Sequence, residues 1–184
     1  MPRPSPSQPL RLFVAGYPPI ELARELVAAL EGLAPEGGRM VPPEQVHLTL
    51  RFIGPVRPRE LDGVRESIGR AVAGLAPIEL TTEALISLPE KGPARLVAVR
   101  TSAPGALLEL TARLAQRLGP GGGRRGGAAF LPHMTLCRFG GGGRRVRAAL
   151  PARAFTLAHV ALVRSQLRPG GAVHAELERF DLAG

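Results

Sequence analysis

The chain has 184 residues, 45% of them hydrophobic, enough for a packed core and too many for a largely disordered protein. Its formal charge is +9, a surplus that favours polyanionic partners such as nucleic acid. A single cysteine, Cys137, excludes an internal disulfide framework, and no stretch approaches the ~18 apolar residues of a membrane helix.

Residues 1–10 are rich in proline, carry no apolar signal-peptide core, and are predicted to form a disordered arm. A cytoplasmic monomer with no membrane association is expected. Arg11–Gly16 reads as a first strand. From Pro19 to about Leu33 the residues Leu22, Leu26, Leu30 and Leu33 recur at helical spacing, with Glu21 and Glu25 near the N-terminus. Gly37-Gly38 breaks the chain, and Val46–Ile53 reads as a strand closed by Gly54-Pro55. A second helix is predicted from Pro58 to about Leu75, followed by short strands at Ile78–Thr82 and Ala84–Leu88.

The same order then restarts. Arg95–Arg100 is a strand, Pro104 opens a helix through Leu107, Leu110, Leu114 and Leu118, and a Gly-rich break at 119–127 precedes the strand Phe130–Phe139. From Arg11 to His47 is 36 residues and from Arg95 to His133 is 38, which points to an internal duplication. Past Gly140–Gly143 a basic segment, Arg144 to Leu150, is taken as a short helix, and strands at Phe155–Leu167 and Val173–Phe180 end the chain. The predicted fold is α+β: one bilobal domain over 11–184, with two antiparallel or mixed sheets, outer helices and pseudo-twofold symmetry about a central cleft. The first half spans about 11–90 and the second about 94–182, with the lobes interleaved.

The chemistry is carried by a phrase spoken twice, His47-Leu48-Thr49-Leu50 and His133-Met134-Thr135-Leu136. In a strand the His and Thr share one face, ~6.6 Å apart, and the apolar pair faces the core. Imidazole titrates near neutrality, so a facing pair can hold one acid and one base together, while the hydroxyls donate to a phosphate. Zinc needs a third ligand, and neither copy has a close H-x-H or H-x-x-x-H partner. Cys137 shares the parity of His133 but stands roughly 13 Å along the strand from it. There is no G-x-x-x-x-G-K-[ST] phosphate loop, and Lys91, in a turn, is the only lysine, which argues against an ATP-driven ligase. His159 and His174 have no Thr two residues on and read as structural or surface residues.

With these motifs in their settings, Val41–Gly54 and Phe130–Arg138, together with Arg11–Ala15 and Val163–Leu167, the chain resembles the 2H phosphoesterases. Specifically it resembles the RNA 2′,3′-cyclic phosphodiesterases, historically called 2′-5′ RNA ligases. The resemblance implies metal-independent hydrolysis of an RNA-terminal 2′,3′-cyclic phosphate to a 2′-phosphomonoester, with no cofactor. It implies His47 as proton donor, His133 as proton acceptor, and Thr49 and Thr135 as phosphate ligands. The substrates implied are tRNA fragments, oligonucleotides or cyclic nucleotides. ATP-independent 2′-5′ ligation at the same site and a non-catalytic RNA-binding module are the competing readings.

The family often has an aromatic residue near Met40 and a tyrosine near His174, which this chain lacks. Phe52, or another aromatic near the cleft, is therefore expected to stack on a base. Arg138 matches a family arginine near the phosphate, yet strict alternation from His133 turns it away, and Phe52 meets the same objection after His47. Two readings stay open. Either each strand bulges or ends after its second apolar residue, or Arg51, on the face of His47, contacts the phosphate while Phe52 is core.

Overall fold

The structure is a computed structural model describing residues 8–33, 36–119, 130–169 and 171–184. The expected N-terminal arm through residue 7, and the Gly-rich break beyond Gly119, lie outside those residues. The strands are β1 (Leu10–Gly16), β2 (Gly38–Met40), β3 (Leu48–Val56), β4 (Ile78–Leu88), β5 (Ala94–Thr101), β6 (His133–Gly143), β7 (Ala148–Ala149), β8 (Ala154–Leu157), β9 (His159–Arg168) and β10 (Gly171–Asp181). The helices are α1 (Ile20–Glu31), α2 (Leu61–Val72) and α3 (Gly105–Leu118).

The strand order is β10-β9-β1-β3-β6-β5-β4-β7, with β2 beside β6 and β8 beside β4, and the pairings are antiparallel. Read outward from the centre, β3-β1-β9-β10 mirrors β6-β5-β4-β7. The two lobes are thus related by a pseudo-twofold axis. They join through a single registered pair, Leu48 with Met134. This is the expected α+β class, with the strands in one continuous ten-stranded sheet, joined through that pair, where two sheets were expected.

The lobes draw on both halves of the chain. β4, expected to close the first half, pairs with β5, while β9 and β10 return from the end of the chain to β1. A short connection explains the first case, because a hairpin closes its ladder at little entropic cost and only residues 89–93 separate β4 from β5, whereas the pairing of β9 with β1 is long-range. The helices also cross. α1 follows β1 but packs on β6, and α3 follows β5 but packs on β3. α1 buries Leu22, Leu26, Val27 and Leu30, and α3 buries Leu107, Leu110 and Leu114, the spacing that aims one stripe inward. Each fully buried leucine contributes about 1.5–3 kcal/mol.

Several boundaries differ from expectation for local reasons. β4 is one strand, not two, and its register shifts at Glu83 as it leaves β8 for β5. β3 continues through Gly54-Pro55 to Val56; its pairing with β6 is confined to Leu48, so one flank is open and the missing N–H of Pro55 is tolerated. β6 runs on through Gly140–Gly143, where the Phe139 ring lies against Gly143 and a Cβ there would overlap it. Arg144–Leu150 is not helical: its only regular piece is β7, and Arg145 donates to the carbonyls of Ser87, Pro89 and Gly92.

Candidate active site

The site is built on the pairing of Leu48 with Met134. Both side chains are buried in the core, so the residues flanking them point to the opposite face. In an antiparallel register that opposes residues 48 and 134, His47 comes opposite Thr135 and Thr49 opposite His133. Each imidazole therefore lies beside the hydroxyl of the other copy. The pseudo-twofold axis passes between them.

Beyond these tetrads both strands bulge at the same place. On β1, Ala15 pairs with Thr49 and Val14 with Arg51, leaving Leu50 unpaired; on β5, Ala98 pairs with Thr135 and Val97 with Cys137, leaving Leu136 unpaired. One extra residue reverses the alternation of everything after it. Phe52 pairs with Phe13 on the site face, 6.2 Å between ring centroids, and is 54% exposed. Arg138 likewise turns to the site face. The bulge is thus the reading that holds.

The reversal corrects two expectations. Arg51, offered as a phosphate ligand, shares the face of core residue Val14, and its Nη2 donates to the carbonyl of Gly119 at the end of α3. Cys137 does not share the parity of His133: it is fully buried, opposite Val97 in the core, and burial pushes its thiol pKa up.

Both imidazoles are fixed in the same way. Nδ1 of His47 donates to the Gln45 carbonyl at 2.7 Å, and Nδ1 of His133 donates to the Leu131 carbonyl at 2.8 Å. A carbonyl can only accept, so Nδ1 carries a proton in each ring, and Nε2 is free to take or give one. His47 sits among rings, with centroids 5.1 Å from Phe13, 5.9 Å from Tyr17 and 5.0 Å from His174. Desolvation lowers its pKa to about 4, and His174, Arg138 and His133 add to the depression. Tyr17 is pushed up to about 12, by burial first and then by Glu176.

His47, Thr135 and Arg138 line a cavity of about 270 Å³ together with Arg39, Met40, Val41, Pro42, Gln45 and residues 172–174 of β10. Another cavity, of about 490 Å³, lies by β4 and β7, with no imidazole among its lining residues. His174, expected to be structural or on the surface, is in the cavity, edge-on to His47 and to Phe13, 5.0 Å from each. Arg39, which nothing in the sequence singled out, pairs with Arg138 across the β2–β6 ladder. His159 remains outside the cavity lining. Among the described residues no three His, Cys, Asp or Glu side chains are grouped to hold a metal, and no helix is long and apolar enough to cross a membrane.

This arrangement matches known proteins over nearly its whole length. A Thermus thermophilus protein named RNA 2′,3′-cyclic phosphodiesterase is 35% identical over 182 residues, covering 95% of this chain and 91% of that one. A second of the same name, from Methanothermobacter thermautotrophicus, is 25% identical over 78% of this chain and 82% of its own. The crystal structure of TT0787 of Thermus thermophilus superposes with a TM-score of 0.80 at 31% identity, over 95% of this chain and 98% of that one. E. coli LigT complexed with 3′-AMP shares the fold, with a TM-score of 0.79 at 24% identity and 96% and 99% coverage. The model of the 2′-5′ RNA ligase superfamily matches residues 18–168, and with the paired His-x-Thr strands this places the chain in that family of 2H phosphoesterases.

Proposed function

We propose that the protein hydrolyses an RNA-terminal 2′,3′-cyclic phosphate to a 2′-phosphomonoester by two-histidine acid–base catalysis. The observation that carries this reading is the opposed register of the two tetrads, which brings an imidazole and a hydroxyl from each lobe to one face. In-line attack on phosphorus needs a base on one side and an acid on the other, and two strands related by a twofold supply that. His133 takes the proton of the attacking water. His47 gives one to the departing 3′ oxygen. Thr49 and Thr135 donate to the phosphate oxygens, Arg138 offsets their charge, and Phe52 offers its exposed face to a base.

The donor role asks something specific of His47. At a pKa of about 4 only about one molecule in a thousand carries the charge at pH 7. A phosphate anion bound beside the ring favours the imidazolium and raises that pKa. The substrate thus creates its own acid. The protein acts as a cytoplasmic monomer on RNA ends, in keeping with its single thiol and its charge of +9.

The test is incubation of an RNA ending in a 2′,3′-cyclic phosphate with the protein and EDTA. The expected product is the 2′-phosphomonoester with a free 3′ hydroxyl. A 3′-phosphomonoester or no turnover refutes the reading, and joined strands as the main product replace hydrolysis with ligation.

A further inference from the structure

Arg39 and Arg138 are directly opposed on neighbouring strands, and their side chains share one face. Like charges so placed repel, and ladders normally avoid them. Among the described residues seven other arginines, Arg24, Arg65, Arg70, Arg100, Arg113, Arg153 and Arg179, meet a carboxylate, while others such as Arg95 and Arg147 do not. Among the described residues Arg39 and Arg138 meet none. Both line the cavity that holds His47 and Thr135.

The guanidinium of Arg39 also reaches a second strand. Its guanidinium lies against Gly171, the first residue of β10, at φ +113°, and a Cβ there would overlap the guanidinium. Only glycine adopts that φ readily and leaves that space. Arg39, itself exposed, thus reaches across the cavity from β2 to β10. The two arginines are not equivalent. The charge of Arg138 reaches His47, whereas Arg39 acts on Arg138, one strand further out.

We propose that Arg39 forms a second anion subsite, which takes the phosphate on the 5′ oxygen of the terminal nucleotide while Arg138 attends the cyclic phosphate. This rests on the cyclic phosphodiesterase reading and sharpens its substrate class. An RNA end carries that 5′ phosphate as its next diester, and a cyclic mononucleotide lacks it. The protein is then selective for oligonucleotide ends.

The experiment compares three substrates with wild type, Arg39→Gln and Arg39→Lys: adenosine 2′,3′-cyclic phosphate, the same compound with a 5′ phosphate, and the dinucleotide ApA ending in a cyclic phosphate. Wild type is expected to favour the two 5′-phosphorylated substrates in kcat/KM by about tenfold or more, the effect of a charge-assisted contact. Arg39→Gln brings that ratio close to one, and Arg39→Lys keeps part of it. The log–log salt dependence of kcat/KM on the dinucleotide becomes shallower by about 0.7 in the glutamine variant. No preference in the wild type, an intact ratio in Arg39→Gln, or an equal loss on all three substrates each overturns the proposal; the last makes Arg39 a strut over Gly171. The same three compounds can be compared by equilibrium binding. Absence of turnover would therefore sink the catalytic reading while the subsite is still read from the affinity ratio.

Discussion

The two tetrads begin alike and end differently. Through Thr49 and Thr135 the strands carry the same His and Thr about an apolar residue, the same Nδ1 anchor to a carbonyl two residues back, and the same bulge one residue later. At the first site-facing position after the bulge, β3 presents Phe52 and β6 presents Arg138. The surroundings diverge in the same sense. His47 is enclosed by Phe13, Tyr17 and His174, while β6 runs beside Arg39. Duplication supplies a symmetric arrangement of the two tetrads, and in the proposed function the flanking residues give each half its own task. One side is apolar and suits a base; the other is cationic and suits phosphate.

The strongest test of that division is removal of each imidazole in turn. His47→Ala and His133→Ala are each expected to lower kcat by about 10²–10⁴, the usual worth of one proton transfer. A variant that keeps wild-type turnover would show that its half of the site is not used. Which ring gives the proton is read by NMR titration of the histidines, with His47→Asn for assignment. His47 should titrate near pH 4 in the free protein and well above that with adenosine 2′-phosphate bound. If it stays near 4, the donor and acceptor roles exchange. The depressed pKa also has a stability sign. The unfolded ring titrates at about 6.5, so the unfolded chain binds more protons between pH 6.5 and 4 and stability falls as pH drops through that window, by at most about 3 kcal/mol.

The next effect in size is at the position where the halves part. Arg138→Met is expected to cost about 10–100-fold in kcat/KM on every cyclic phosphate substrate, since it removes a charged donor from the phosphate. Phe52→Ala should cost about 5–50-fold, chiefly in KM, and only where a base can stack on the ring. Equal losses across substrates for both variants would erase the proposed difference between the sides.

How much of this could be read from the sequence follows from which contacts are local. The His-x-Thr pairs, the matching spacing to each strand and the helical stripes all repeat over a few residues, and so they are legible. The bulges are not. Leu50 and Leu136 look like any inward-facing leucine, and only the ladder with β1 and β5 shows that neither has a partner. Sequence alone leaves the bulge as one of two options; the registers turn Phe52 and Arg138 to the site face and Arg51 away from it. His174 escapes a sequence reading for a related reason. It enters the cavity because β10 returns from the end of the chain to β9 and β9 to β1, and no local pattern records that return. Arg39 meets Arg138 through β2, a three-residue strand too short to leave a periodic signal.

The smallest expected effect is at Arg51, and it is the cleanest check on the bulge. Its guanidinium reaches the Gly119 carbonyl, where α3 ends and its last carbonyls lack helical partners. Removing that charged donor should cost about 1–2 kcal/mol of folding stability, measured as a lower denaturant midpoint with an unchanged m-value. Catalysis should change less than about threefold, because nothing on that face of β3 meets the substrate. Arg51→Met carries the stem and removes the charge. Were it instead to lose activity as Arg138→Met does while keeping its stability, Arg51 would have to face the phosphate. Strict alternation would then run through Leu50, and the parity that puts Phe52 and Arg138 at equivalent places on the two strands would fail with it.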